Sequence, residues 1–200
     1  AACSGTGTSP GADPRSGPGP AQLAKTDIDR VVEAHQRQIF ASLRLLTEKL
    51  YRRNPGEWRK SAQPGVDAAV ARIYETRHGW RFAELGGRRG TEALELAFRA
   101  DFGGDRVLAL SAGLAGMIRT AFNDKTEFFI TDDLDPQKFY NSARNVEIAV
   151  WRLSNARDAG GALFLLSNEP GAQRNLSFER EFGKIIGSLD TLEKIVAAKG

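Results

Sequence analysis

A sustained three-and-four spacing of apolar residues constrains this chain more than any other feature. Ile28, Val32, Ile39, Leu43, Leu46 and Leu50, with His35 among them, fall on one side of a helical wheel. A strand cannot use that spacing, because its side chains change face at every residue. Thr26, followed three residues on by Asp29, approximates a capping box and marks the start; Asn54-Pro55-Gly56 marks the stop. Pro64-Gly65 opens a shorter helix carrying Val66, Val70 and Ile73, and Thr91 opens one with Leu94, Leu96 and Phe98 that ends near Gly103-Gly104. Asp135-Pro136 places proline at the first helical position behind an N-cap. The helix it starts runs to about Asp158, burying Phe139, Ala143, Val146, Val150 and Leu153. Phe178, Phe182, Ile185, Leu189, Leu192 and Val196 form a heptad-like seam, suited to packing within a bundle.

Asp105 opens a helix over Val107 to Phe122 whose Ala109, Ala112, Gly113, Ala115 and Gly116 leave one flank almost bare. Glycine inside a helix costs about 1 kcal/mol relative to alanine. Two of them predict close approach by a neighbouring backbone and a central place in the fold. Trp80-Arg81-Phe82-Ala83-Glu84-Leu85 alternates with period two, but no partner strand is evident and a lone strand is not stable. An ordered loop or helical turn is expected there. No repeat of solenoid length occurs. The expected fold is all-α, a helical bundle of about five to six helices over residues 25–200.

Residues 1–24 read differently. They are almost entirely Gly, Ser, Thr, Pro and Ala, with Asp13 and Arg15 as charged exceptions. Such a segment cannot bury enough apolar surface to offset the entropy of ordering, so a flexible tether is expected. A Gly-rich coil of about 22 residues spans roughly 25 Å. The remainder is ordinary for a globular protein, since the chain is 41% hydrophobic and 26% charged. The net charge of +3 is small and the charges are interspersed. No basic stripe marks a nucleic-acid face, so nucleic acid is not an expected partner. No apolar run approaches the 18 or so residues of a spanning helix. With one cysteine, an internal disulfide is impossible.

That cysteine stands in Ala1-Ala2-Cys3, followed by Ser4-Gly5-Thr6-Gly7-Thr8-Ser9-Pro10. The arrangement resembles bacterial lipoproteins, whose signal peptides end in a lipobox: an apolar residue, two small residues, then the cysteine that becomes the lipidated N-terminus. A Gly/Ser/Pro tether commonly follows in that family. The resemblance implies acylation of Cys3, a cleaved leader, and a membrane partner engaged through the lipid. More than one acyl chain is what stable attachment requires. Ser4 in place of an aspartate points, by the same resemblance, to the outer membrane of the cell envelope, with the body facing the periplasm. The resemblance covers the three lipobox residues and the tether, about a tenth of the chain.

Candidate chemistry is sparse. His35 sits on an apolar stripe, where a hydrogen-bonded core histidine is expected; His78 lies near a helix end, where cations are favoured. Two histidines and one cysteine offer too few ligands for a transition-metal site. Asp132-Asp133-Leu134-Asp135 lacks the glycine and the final glutamate of a calcium loop, with Arg144 at the latter position. No metal or cofactor is expected. No Gly-x-Ser-x-Gly elbow occurs, and Glu57, Glu84 and Glu92 lack the following serine of lytic transglycosylases. Two stretches remain. Gly86-Gly87-Arg88-Arg89-Gly90-Thr91 leads glycine-rich backbone into a helix start, where Arg88 and Arg89 could hold an anion. Asn141, Arg144, Asn145, Arg152 and Asn155 form a polar stripe along the helix begun by Pro136, a candidate recognition surface. The leading expectation is therefore a tethered helical body that binds or scaffolds an envelope protein through an exposed helix face, and not an enzyme. The alternative is an envelope enzyme or binder acting on a glycan or anionic ligand at those two stretches.

Overall fold

Thr26 and Asp29 cap one another as their spacing predicts: Thr26 Oγ1 accepts from the Asp29 amide at 3.2 Å, and Asp29 Oδ2 accepts from the Thr26 amide at 2.8 Å. This box starts α1 (Asp27–Arg53) in the computed structural model, which describes residues 25–167 and 176–199. The leader at 1–24, with Cys3, lies outside the described residues. Pro55 ends α1 and starts α2 (Pro55–Lys60), a short helix that apolar periodicity alone did not mark, because it carries only Trp58 as a large apolar side chain. Then follow α3 (Val66–Tyr74), a single 3-10 turn (Ala83–Leu85), α4 (Thr91–Leu96), α5 (Arg106–Ala121), α6 (Pro136–Asn155) and α7 (Ser177–Lys199). Among the described residues there is no strand; only an isolated bridge joins Arg157 to Leu163. The fold is all-α.

Helix α5 is the centre. Val107, Leu108, Leu110, Leu114 and Ile118 are each at most 2% exposed, and burial extends round nearly the whole helix. Helices α1 and α6 flank it, α4 lies across it, and α7 packs against both α6 and α1. The bare flank of α5 does what its glycines predict. A Cβ added at Gly113 would lie 2.5 Å from the Leu94 amide nitrogen in α4; one at Gly116 would lie 3.0 Å from Trp80 Cβ and Arg89 Cγ. The Leu94 backbone at Gly113, and Trp80 and Arg89 side-chain atoms at Gly116, therefore sit where a side chain would stand in any other residue.

Polar groups close the ends of this arrangement. Asp105 caps α5, accepting from the Leu108 amide at 2.9 Å, from the Tyr51 hydroxyl at 2.9 Å and from the Ser61 hydroxyl at 2.8 Å. Glu57 accepts from the Arg106 amide at 2.7 Å. The Arg106 guanidinium, 4.4 Å above the Phe164 ring, donates to the carbonyls of Ala97, Arg99 and Phe102 at 2.9, 2.8 and 2.7 Å. Those carbonyls follow α4, where the helical ladder has ended; that of Arg99 also accepts from the Phe102 amide at 3.3 Å. That is why α4 ends at Leu96 instead of running on to the glycines at 103–104.

The segment before α4 is an ordered turn, as the lack of a partner strand predicts. Trp80 adopts a left-handed backbone (φ +63°), and its amide donates to His78 Nδ1 at 2.8 Å. His78 Nε2 then carries the proton and donates to the Ile73 carbonyl at 2.9 Å. His35 is only half-buried. It lines an open groove between α1 and α7 beside Gln38 and Lys184 and is not a core residue, because its place on the wheel falls at the edge of the apolar stripe.

Candidate functional site: the outward face of α6

Helix α6 turns Phe139, Ala143, Val146, Ala149 and Leu153 into the core. One hundred degrees per residue then places 140, 144, 148, 151 and 155 on the opposite side. Three of these carry large apolar groups in water: Tyr140 at 46% exposed, Ile148 at 51% and Trp151 at 65%. A tryptophan exposed to that degree is uncommon, since its area makes burial strongly favourable. Here nothing within the described residues covers it.

Arg144 organises the middle of this face. Its guanidinium lies 5.3 Å from the Tyr140 ring centroid, donates to Asp190 of α7 at 2.9 and 3.2 Å, and pairs with Glu147 at 3.2 Å. The arginine thus ties α6 to α7 and steadies the Tyr140 ring, while its Nε remains buried without a partner. Asn141 is exposed and accepts from Gln137 at 2.9 Å; Asn145 is half-buried, and the Arg152 guanidinium lies 5.9 Å from the Phe98 ring centroid. Asn155 donates to the Trp151 carbonyl at 2.8 Å. The polar stripe read from sequence is therefore one component of a mixed surface. Its other component, Tyr140, Ile148 and Trp151, was visible on the same wheel but only as residues opposite the core.

The glycine-rich stretch sits elsewhere. Gly86, Gly87 and Gly90 all have positive φ, so glycine serves the turn. The amides of Gly86, Gly87 and Arg88 donate to the carbonyls of Ala83, Phe82 and Leu85. Arg89 pairs with Asp124 and reaches the Gly116 carbonyl at 3.3 Å; Arg88 is exposed. The open depression beside Arg89 takes its walls from the 81–92 segment and the end of α5, with Met117, Thr120 and Asp124. Arg144, Asn141 and Asn145 on α6 do not line it. The structure thus leaves Arg88 and Arg89 on one side of the molecule and the α6 face on another.

No family model, curated protein or solved structure matches this chain. Its chemistry must accordingly be read from its own groups. Asp105 is 2% exposed; burial pushes it above the usual carboxylate range, against the hydrogen bonds from Leu108, Ser61 and Tyr51. Both oxygens are engaged by those donors, which makes it a cap and not a proton carrier for a substrate. Arg106 likewise spends its donors on carbonyls. Among the described residues, no three His, Cys, Asp or Glu side chains are grouped to hold a metal ion, and no helix is long and apolar enough to cross a membrane. Among the described residues, the outward face of α6 carries the most exposed tryptophan, Trp151.

Proposed function

We propose that this protein is a lipid-anchored binding or scaffolding component of the bacterial cell envelope, acylated at Cys3, that docks a protein partner on the outward face of α6. The observation that carries the docking part is the exposure of Trp151 together with Tyr140 and Ile148 around Arg144. Tryptophan, tyrosine and arginine are the residue types on which binding energy concentrates at protein interfaces. Arg144 and Glu147, already paired, supply a polar component that can be shared with a partner without leaving an unpaired charge. Support for the anchor is the Ala1-Ala2-Cys3 tripeptide and the Gly/Ser/Pro composition after it. The outer membrane, with the body in the periplasm, is the location that Ser4 favours.

Two experiments test the two parts separately. Metabolic labelling with a fatty-acid probe, in a bacterium producing the protein behind a lipoprotein leader, labels the native chain and not Cys3→Ser; equal labelling, or none in either, refutes the anchor. Cross-linking in intact envelopes then compares the native chain with Ile148→Ser/Trp151→Ala. Losing one hot-spot residue weakens binding by about 2 kcal/mol or more, roughly thirtyfold. The specific adduct is expected to disappear while the melting temperature holds. An unchanged adduct pattern refutes docking on α6.

A further inference from the structure

A second feature lies at the N-terminal end of α6, away from Trp151, and does not depend on the docking reading. Where the first turn of α1, the last turn of α7 and the segment before α6 meet, they enclose a cavity of about 330 Å³. Ligand clefts span roughly 300–1,000 Å³, so this one suits a small molecule or the body of a larger one. Its floor is apolar: Val32, Phe128 and Val196 are buried beneath it. Ile28 and Ile130 stand at its sides, 38% and 58% exposed, holding apolar surface open to solvent.

The polar groups in the wall are of one dominant sign. Asp29, Asp132 and Asp133 line the cavity against a single cation, Lys199. Asp29 is occupied: it takes both donors of Thr26 and the Lys199 ammonium at 3.1 Å. Asp132 is also occupied, by Lys125 and by the Phe129 amide at 3.0 Å. Lys199 is in turn held by Asp29 and leans on the Asp132 carbonyl at 3.5 Å. The carboxylate of Asp133 is exposed and has no ion pair among the described residues. An apolar hollow with one uncommitted carboxylate at its rim complements a molecule that is apolar at one end and cationic at the other. An anionic amphiphile would instead place its charge against an excess of carboxylates, with the one ammonium among the described lining residues already paired.

The geometry points to a binding site for small cationic amphiphiles, with the alkyl body on Val32, Phe128 and Val196 and an ammonium head at Asp133. Amide chemical-shift titrations of the full 200-residue chain with octylammonium, 1-octanol and octanoate, each below its aggregation concentration, test it. Octylammonium is expected to shift the amides around Ile28, Ile130 and Val196 and to bind roughly tenfold more tightly than octanoate, because one gains and the other opposes the rim charge. Asp133→Asn should bring octylammonium down to the affinity of octanol. Ala197→Trp, at an exposed lining position, should fill the cavity and abolish binding of all three while the melting temperature stays near that of the native chain. The site is refuted if octylammonium produces no shifts at this pole, if octanoate binds as tightly, or if a folded Ala197→Trp variant binds unchanged.

Discussion

Asp105 holds three donors on two oxygens while almost wholly withdrawn from water. Replacing it with alanine removes an N-cap and orphans two buried hydroxyls, which predicts a loss of about 3 kcal/mol in urea unfolding. Asparagine can still cap Leu108, and the hydroxyls of Tyr51 and Ser61 can turn to accept from its amide. Asp105→Asn is therefore expected within about 1 kcal/mol of the native chain near pH 7. Burial raises the folded carboxyl above its unfolded value, so the ionised form suits the fold less well than the unfolded chain. Its contribution is present below the ordinary aspartate range and is lost as pH rises from there to the raised folded value. Relative to the native chain, Asp105→Asn should consequently gain stability as pH rises from the ordinary aspartate range through the raised folded value. A constant difference over that range would contradict it. The cap itself was legible in the sequence, as an aspartate before an apolar helical run. Its other partners were not, because Tyr51 and Ser61 lie 54 and 44 positions away.

At the scale of elements, the small-residue flank of α5 makes opposite predictions from those of the glycines in α7. Gly113→Ala forces a methyl against the Leu94 backbone, and overpacking of this kind is expected to cost about 2 kcal/mol despite the better helix propensity of alanine. Gly183 is exposed in α7 with nothing within 4 Å of an added Cβ, so Gly183→Ala should stabilise by about 0.5–1 kcal/mol. Thermal melts of the two variants, moving in opposite directions, check both. Inward helical faces were legible because a period of 3.6 residues states them directly, and so was the close approach at Gly113 and Gly116. The early end of α4 was not legible: it depends on Arg106 collecting carbonyls at 97, 99 and 102, a closure that no local pattern announces. The α6 face lay between these cases. Its polar members stood out as a stripe, whereas Tyr140, Ile148 and Trp151 gained meaning only once neighbouring helices were seen to leave them open.

Over the whole molecule, the first and last helices are joined by long-range polar contacts. Ser42 of α1 donates to Glu181 of α7 at 3.0 Å, and Lys199 of α7 meets Asp29 of α1. Glu181 is 3% exposed, and the Lys184 ammonium holds its carboxyl below the usual range against the opposing effect of burial, with Ser42 assisting. Asp29 is also lowered: burial acts to raise it, but the bonds from Thr26 and Lys199 outweigh that. For groups lowered in the fold, stability is present above the unfolded value and is lost as pH falls through the folded value. Acidification should therefore loosen the α1–α7 seam. Amide protection in α7, taken relative to the intrinsic exchange rate at each pH, is expected to fall below about pH 4, and Glu181→Gln should flatten that acid response; an equal loss in both would refute the assignment. Trp58 stacks beneath Arg59, and Trp80 packs among Phe40, Tyr74 and His78, so both indoles already sit in shielded surroundings. The third indole, at position 151, faces bulk solvent. Its emission should dominate quenching by acrylamide, giving the molecule an intrinsic optical gauge of whether that side has become dry.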